Sequence, residues 1–260
     1  MIKTLTTAAT GIDAQQANIE RISNDLANVN TDGFKRGRTE FEDLMYETIR
    51  APGENTGASS QTPVGVQVGR GVRVAATGKV FEQGAMRPTG HELDIMIQGV
   101  GFMPVQLPTG EIGFTRTGTL HKNATGTLVT VAGASIIPQI TIPAETMDLK
   151  IAPNGEVKAM LPNNGEAILG QIQLVRFQNP VGLNAIGNNL YLATSASGQP
   201  IQGVAGENGF GILQQGALEA SNTNVANSMV EMISAQRAYE MGTKVMGVAD
   251  KMMEATINIR

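Results

Sequence analysis

Leu5, Ala8, Ile12, Gln15, Ile19, Ile22, Leu26 and Val29 follow one another at alternating steps of three and four residues. That is an a/d heptad register with one polar member, Gln15, and it predicts a helix over residues 1–30 with a single apolar stripe. At 1.5 Å per residue such a helix is ~42 Å long. Asp13, Glu20, Arg21, Asn24, Asp25 and Asn28 fall on its other side. Ordering its backbone costs ~1–2 kcal/mol per residue, more than one stripe left in water returns. The helix therefore needs a partner.

The other end of the chain supplies one. From Val225 onward the pattern is again helical, over ~52 Å. Val225, Met232, Tyr239, Met246 and Met253 recur every seventh residue, and Ser228, Ala235, Gly242, Ala249 and Thr256 stand three places after each. Large beside small lets a neighbouring helix come close. A second apolar set, Val230, Met241, Val245, Val248, Met252 and Ile259, lies almost opposite the first. A helix that is apolar on two opposed faces sits between neighbours. The N-terminal helix, through Leu5, Ile12, Ile19, Ile22, Leu26 and Val29, is expected to cover one face. The other is left for a different copy of the chain.

Between the helices the pattern changes. Asn30-Thr31-Asp32-Gly33 ends the first helix, with Gly33 suited to the left-handed backbone common at helix C-termini. Residues 34–49 read either as a short helical face or as an extended segment. Residues 51–63 have linker or hairpin-tip chemistry. Val64, Val66, Val68, Val72 and Val74 then alternate as a strand does, with Gly65, Gly69 and Gly71 among them. The linker is thus expected at the tip of a long projecting hairpin. From about residue 79 to 220 the pattern is β throughout. Strands are predicted at 94–97, 102–106, 127–131, 136–142, 149–151, 157–160, 168–177 and 190–193, with Gly, Asn and Pro turns between them.

The expected fold is α+β. Long N- and C-terminal helices pack as a coaxial coiled coil (1–30 and 221–260), a connecting domain carries the hairpin-like insertion (31–76), and a compact all-β outer domain spans 77–220.

Composition removes several function classes. The formal net charge of −4 argues against a general binder of nucleic acid or acidic membranes. The one basic cluster, Lys35-Arg36-Gly37-Arg38, is followed by Glu40, Glu42 and Asp43 and reads as a solvated turn. Cysteine is absent, which excludes disulfide scaffolds, zinc knuckles and thiol nucleophiles. No apolar run approaches the ~18 residues of a membrane span. Gly11 and Asp13 interrupt the start before a signal-peptide core can form. His91, Glu92 and Asp94 lack the His-Glu-x-x-His spacing of a zinc site and read as another solvated turn. Gly99-Val100-Gly101-Phe102 lacks the third glycine and following helix of a dinucleotide fingerprint. With two histidines and no cysteine, no catalytic constellation stands out, and neither enzyme activity, cofactor nor metal is expected.

The stretch from Ile22 through Asn24, Leu26, Ala27, Asn28, Thr31, Gly33 and Phe34 to Arg36 resembles the N-terminal signature of bacterial flagellar rod and hook proteins. Ser221-Asn222-Thr223-Asn224-Val225, Gln236-Arg237-Ala238-Tyr239-Glu240 and Asp250-Lys251-Met252 resemble that family's other terminus. Phe114-Thr115-Arg116-Thr117-Gly118 and Gly126-Thr127-Leu128-Val129 stand where it has β-domain motifs. Tyr46, Ile49, Arg50, Pro52 and Gly53, followed by Val66, Val68, Gly69 and Gly71, resemble the insertion of its distal-rod branch. Met103 and Phe114 depart from the aromatic residue and the tyrosine usual there.

The resemblance implies a structural subunit of a helical homopolymer, a hollow drive shaft carrying torque from motor to hook. Implied partners are further copies of itself, proximal rod proteins, the hook protein, the P-ring and L-ring proteins and the flagellar export apparatus. The implied location is the basal-body rod across the periplasm, reached through type III export without a cleaved signal peptide. A proximal-rod or hook-like relative would share both termini, and a secreted coiled-coil oligomer or adhesin would also explain the heptads.

Overall fold

A computed structural model describes residues 2–53, 55–57, 60–61, 63–162 and 165–258. Two long helices, α1 (Ile2–Ala27) and α2 (Val225–Asn258), bracket a body made mostly of short strands, an α+β arrangement. The chain divides into two compact units. The terminal unit comprises Met1–Leu26, Gly37–Gly78 and Val225–Arg260, and the β unit comprises Ala27–Arg36 and Lys79–Asn224.

α1 stops at Ala27, three residues short of the expected end, and residues 28–33 form turns. Asn28 is the cause: its carbonyl accepts the Thr31 N–H at 3.1 Å and its side-chain oxygen accepts the Thr31 hydroxyl at 3.1 Å. Short polar side chains offer the backbone this alternative to another helical turn. Gly33 then takes φ +70°, and a Cβ on it would lie 2.9 Å from the Thr117 hydroxyl, so no other residue fits without strain.

Residues 34–49 are extended rather than helical. In the terminal unit the strand Gly37–Asp43 pairs with Val72–Lys79, and Glu47–Arg50 pairs antiparallel with Val66–Val68 in the register Glu47↔Val68 and Arg50↔Val66. Asn55–Gly57 pairs with Ser60–Gln61. Most side chains along these ladders are exposed, so the alternating valines do not mark a half-buried sheet face within this unit.

The β unit holds the principal core. Its largest sheet has seven strands, in the spatial order Leu120–Lys122, Leu128–Thr130, Ser135–Ile136, Met103–Gln106, Ile112–Thr115, Leu190–Leu192 and Asn184–Gly187. A three-stranded sheet (Asp148–Ile151, Glu156–Met160 and Glu166–Gln171) and several two-stranded ladders complete the unit. Ile95, Ile97, Met103, Val105, Leu120 and Leu128 are among the fully buried members of one cluster. Phe102, Phe114, Phe177 and Tyr191 form a second, with edge-on ring contacts such as Phe114–Phe177 at 4.8 Å between centroids.

One predicted strand is cut short and another is divided. Of 136–142 only Ile136 lies in a strand, Ser135–Ile136, because Pro138 follows and cannot donate to a ladder. The 168–177 run breaks at the buried Ile172, and its halves, Glu166–Gln171 and Gln173–Arg176, join different sheets. Ile112–Thr115, Asn184–Gly187, Ile201–Val204 and Ile212–Gln215 are strands that residue patterning did not reveal.

Candidate assembly surfaces

In the terminal unit α1 and α2 lie side by side and run antiparallel. Arg21 donates from Nη2 to Glu231 Oε2 at 3.0 Å, and a Cβ on Gly242 would meet Ile12 Cγ1 at 2.8 Å. The small residues of α2 let the helices approach this closely, and Ala235 and Ala249 are buried. Met232, Gly242, Met246 and Met253 are partly buried on the same face, while Tyr239 and Val225, further round the helix, are 36% and 40% exposed. On α1, Ile22 and Ala14 are buried, and Leu5, Ile12, Ile19 and Leu26 are partly buried.

The second face of α2 is largely exposed. Val230, Met241, Val245, Val248 and Met252 are 50–65% exposed, as are Met229 and Ile233 beside them. Ile259 lies outside the described residues. The insertion is similar: Tyr46, Ile49, Val66 and Val68 are 41–66% exposed, and Arg50, Pro52, Gly53 and Gly69 are exposed with them. A two-stranded ribbon of this kind is marginal alone and needs a surface to pack on.

The base of the ribbon is tied to α1. Lys3 Nζ donates to both Glu47 carboxylate oxygens, at 2.8 and 2.7 Å, and Arg70 reaches Glu47 Oε2 at 3.2 Å. The Lys3 and Arg70 hydrogen bonds hold the Glu47 carboxyl below its ordinary range. Gly71 takes φ +115°, which brings the chain against the Thr10 hydroxyl, and Val72 N–H donates to that oxygen at 3.4 Å. Asp25 anchors the first strand by accepting the Gly37 N–H at 2.8 Å and pairing with Arg21 at 3.0 Å.

In the β unit the signature residues are mostly inside. Gly33 and Phe34 are buried, Asn28, Val29 and Thr31 are partly buried, and Ala27 is exposed, as is Asn24 on α1. Lys79 Nζ sits 4.3 Å from the centre of the Phe34 ring. The reading of Lys35 as part of a solvated turn is wrong. Its side chain is 0% exposed, its Nζ donates to Glu219 Oε1 and to the Glu82 carbonyl, both at 2.6 Å, and only Arg36 and Arg38 of the cluster reach solvent. Arg116 Nε donates to Glu219 Oε2 at 2.7 Å, and its remaining nitrogens reach the carbonyls of Ile97, Gly99 and Gly101. Charge order in the local sequence gives no hint of this buried triad, because its anion lies 184 positions from Lys35. Asn222 closes the same region by accepting the Arg36 N–H at 2.7 Å and donating to the carbonyls of Val80 and Glu82.

Asp94 also departs from the solvated-turn reading: it is buried and accepts the Thr89 hydroxyl at 2.6 Å. Among the described residues no group of three or more His, Cys, Asp or Glu side chains could hold a metal ion, and no helix is long and apolar enough to cross a membrane.

Three family models match the chain: the basal body rod protein model at residues 5–35, the hook protein FlgE/F/G D1 domain at 96–159, and the rod FlgEFG C-terminal region at 214–259. A flagellar basal-body rod protein FlgG of Caulobacter vibrioides is 46% identical over 261 residues, covering 100% of both chains. The chain belongs to the flagellar basal-body rod family. Within that family, FlgG of Buchnera aphidicola subsp. Acyrthosiphon pisum is 45% identical over 255 residues, 98% of each chain, and FlgG of Bacillus subtilis 32% over 270 residues, 100% of each. Lys35, Arg116 and Glu219 fall one in each of the three segments that the rod-family models match. The triad therefore pins together the parts of the chain by which the family is recognised.

Proposed function

We propose that this chain is a structural subunit of the distal rod, which stacks helically with copies of itself into a stiff hollow shaft and transmits torque from motor to hook. The observation that carries the reading is the bare apolar face of α2, which the chain's own N-terminal helix does not cover. Near-full-length similarity to proteins named as basal-body rod components supports it. In this reading α1 and α2 form a coaxial coiled coil in the inner tube, and the hairpin-like ribbon around residues 46–75 braces a neighbouring copy. The β domain faces outward, toward the P and L rings. The shaft crosses the periplasm between proximal rod and hook, its subunits delivered by the flagellar export apparatus without a cleaved signal.

Torque transmission asks for stiffness rather than chemistry, and the expected domain limits (1–30, 31–76, 77–220 and 221–260) serve it by giving tube, brace and outer wall separate segments. Electron microscopy of the purified chain at rising concentration tests the reading. Open helical filaments are expected. A small closed oligomer, which a secreted coiled-coil adhesin would form, overturns it. Deletion of residues 53–62 tests the brace: filaments with unchanged bending stiffness would remove that role.

A further inference from the structure

α2 carries Arg237, Lys244 and Lys251 at intervals of seven residues. Seven residues fall about 20° short of two helical turns, so the three cations form one nearly straight line with ~10 Å between neighbours. The line borders the exposed stripe: at 100° per residue Lys244 lies ~60° to one side of Met241, and Lys251 lies ~60° to the same side of Val248. All three cations are exposed, none makes an ion pair with a described residue, and Met241, Val245 and Val248 beside them are 60%, 50% and 57% exposed.

The opposite flank of the helix pair has the complementary chemistry. A groove of about 430 Å³ runs between α1 and α2, with Ile12, Tyr239 and Met246 lining it and Asp13 and Asp250 on its rims. Glu20, seven residues after Asp13, continues the acidic edge on α1, and Glu254, four after Asp250, continues it on α2. These four carboxylates are exposed. One face of the terminal unit is thus apolar with a cationic border, and another is an apolar groove with an acidic border.

We propose that the groove between α1 and α2 receives the bare α2 stripe of a second copy, with the Arg237–Lys244–Lys251 line lying along the Asp13–Asp250 rims. This proposal rests on the rod-subunit reading and adds to it which faces meet. The two faces differ, so the contact is head-to-tail and leaves a free groove and a free stripe on every pair. Such a contact propagates into an open helix when its rotation does not close a ring, which is the outcome a rod requires. The charge borders set register along the helices and reject the stripe-to-stripe pairing, where cation lines would face each other.

Charge reversal in the full-length chain tests it, with critical concentration read by sedimentation and electron microscopy. Lys244→Glu with Lys251→Glu should raise the critical concentration at least ~10-fold, and Asp13→Lys with Asp250→Lys should do the same, since like charges then line every contact. All four substitutions in one chain restore complementarity and should bring assembly back to within a few-fold of wild type. Helix content by circular dichroism is expected to be unchanged throughout. Normal assembly of either double variant, or failure of the fourfold variant with its helices intact, overturns the proposal while wild-type filaments leave the rod reading standing. A wild-type chain that stays monomeric overturns both.

Discussion

Glu219→Gln is the substitution whose cost the β unit should feel most. Its carboxylate is 1% exposed and lies between two cations, Lys35 at 0% and Arg116 at 4%, while also accepting the Gly84 N–H at 2.8 Å. The group already carries one positive charge more than it has negative. Burial pushes Lys35 below its ordinary 10.5, with the Arg116 charge acting in the same direction and Glu219 opposing both. Removing the carboxylate strands both cations, and breaking a buried pair from one side costs ~3–5 kcal/mol. Lys35→Met is the informative contrast. It leaves Arg116 and Glu219 as a balanced pair and gives up the Lys35 hydrogen bonds to Glu219 and Glu82, for ~1–3 kcal/mol. The anion should therefore matter more than the cation by about 2 kcal/mol, a urea-midpoint difference on the order of 1 M at the slopes usual for small domains. The assay is urea unfolding of dilute full-length chain at neutral pH, followed by the near-ultraviolet signal of the buried Tyr191. Equal midpoints for the two variants would show that the charge count around Glu219 is not what holds the three segments together.

Three further outcomes follow from the same geometry. Gly242→Val adds a side chain where a Cβ alone would come within 2.8 Å of Ile12 Cγ1, so α1 and α2 should separate. Amide exchange in α1 should quicken at least ~10-fold, and unchanged protection would show that the helices do not depend on that contact. Gly33→Ala forces a Cβ into φ +70° beside the Thr117 hydroxyl, and should lower β-unit stability by ~1–2 kcal/mol in the same urea assay. Tyr191 supplies a pH signature. Burial raises its pKa from 10.0 to about 12, so above pH 10 the unfolded chain releases this proton while the folded chain keeps it. Its contribution is complete below pH 10 and falls away as pH rises toward 12, by about 2–3 kcal/mol. Tyr191→Phe should flatten that part of the stability profile, and an identical profile would disprove the assignment.

The helical ends were legible because heptad spacing is a local property: each residue's place on the seam follows from its number. Gly33 was legible for a similar reason, since only a residue lacking a Cβ suits a left-handed turn. Strand assignments in the β unit succeeded where alternation was strong and failed at Ile112–Thr115 and Ile212–Gln215, whose membership depends on partners found elsewhere. Lys35 misled because a cation next to Arg36 and Arg38 looks solvated unless the distant anion is known. The two apolar faces of α2 were visible in the residue spacing, but which of them α1 covers within one chain was not.

From its residues alone, this chain was bound to make two long amphipathic helices with more apolar surface than one partner can hide, since periodicity and the cost of exposed hydrocarbon are written locally. Tertiary structure decided the rest. It chose which face of α2 meets α1, where the groove and the cationic line lie, and that Lys35, Arg116 and Glu219 share one dry site. Those outcomes depend on pairings between distant positions, 184 apart for Lys35 and Glu219 and 210 apart for Arg21 and Glu231, and short-range pattern carries no information about such distances.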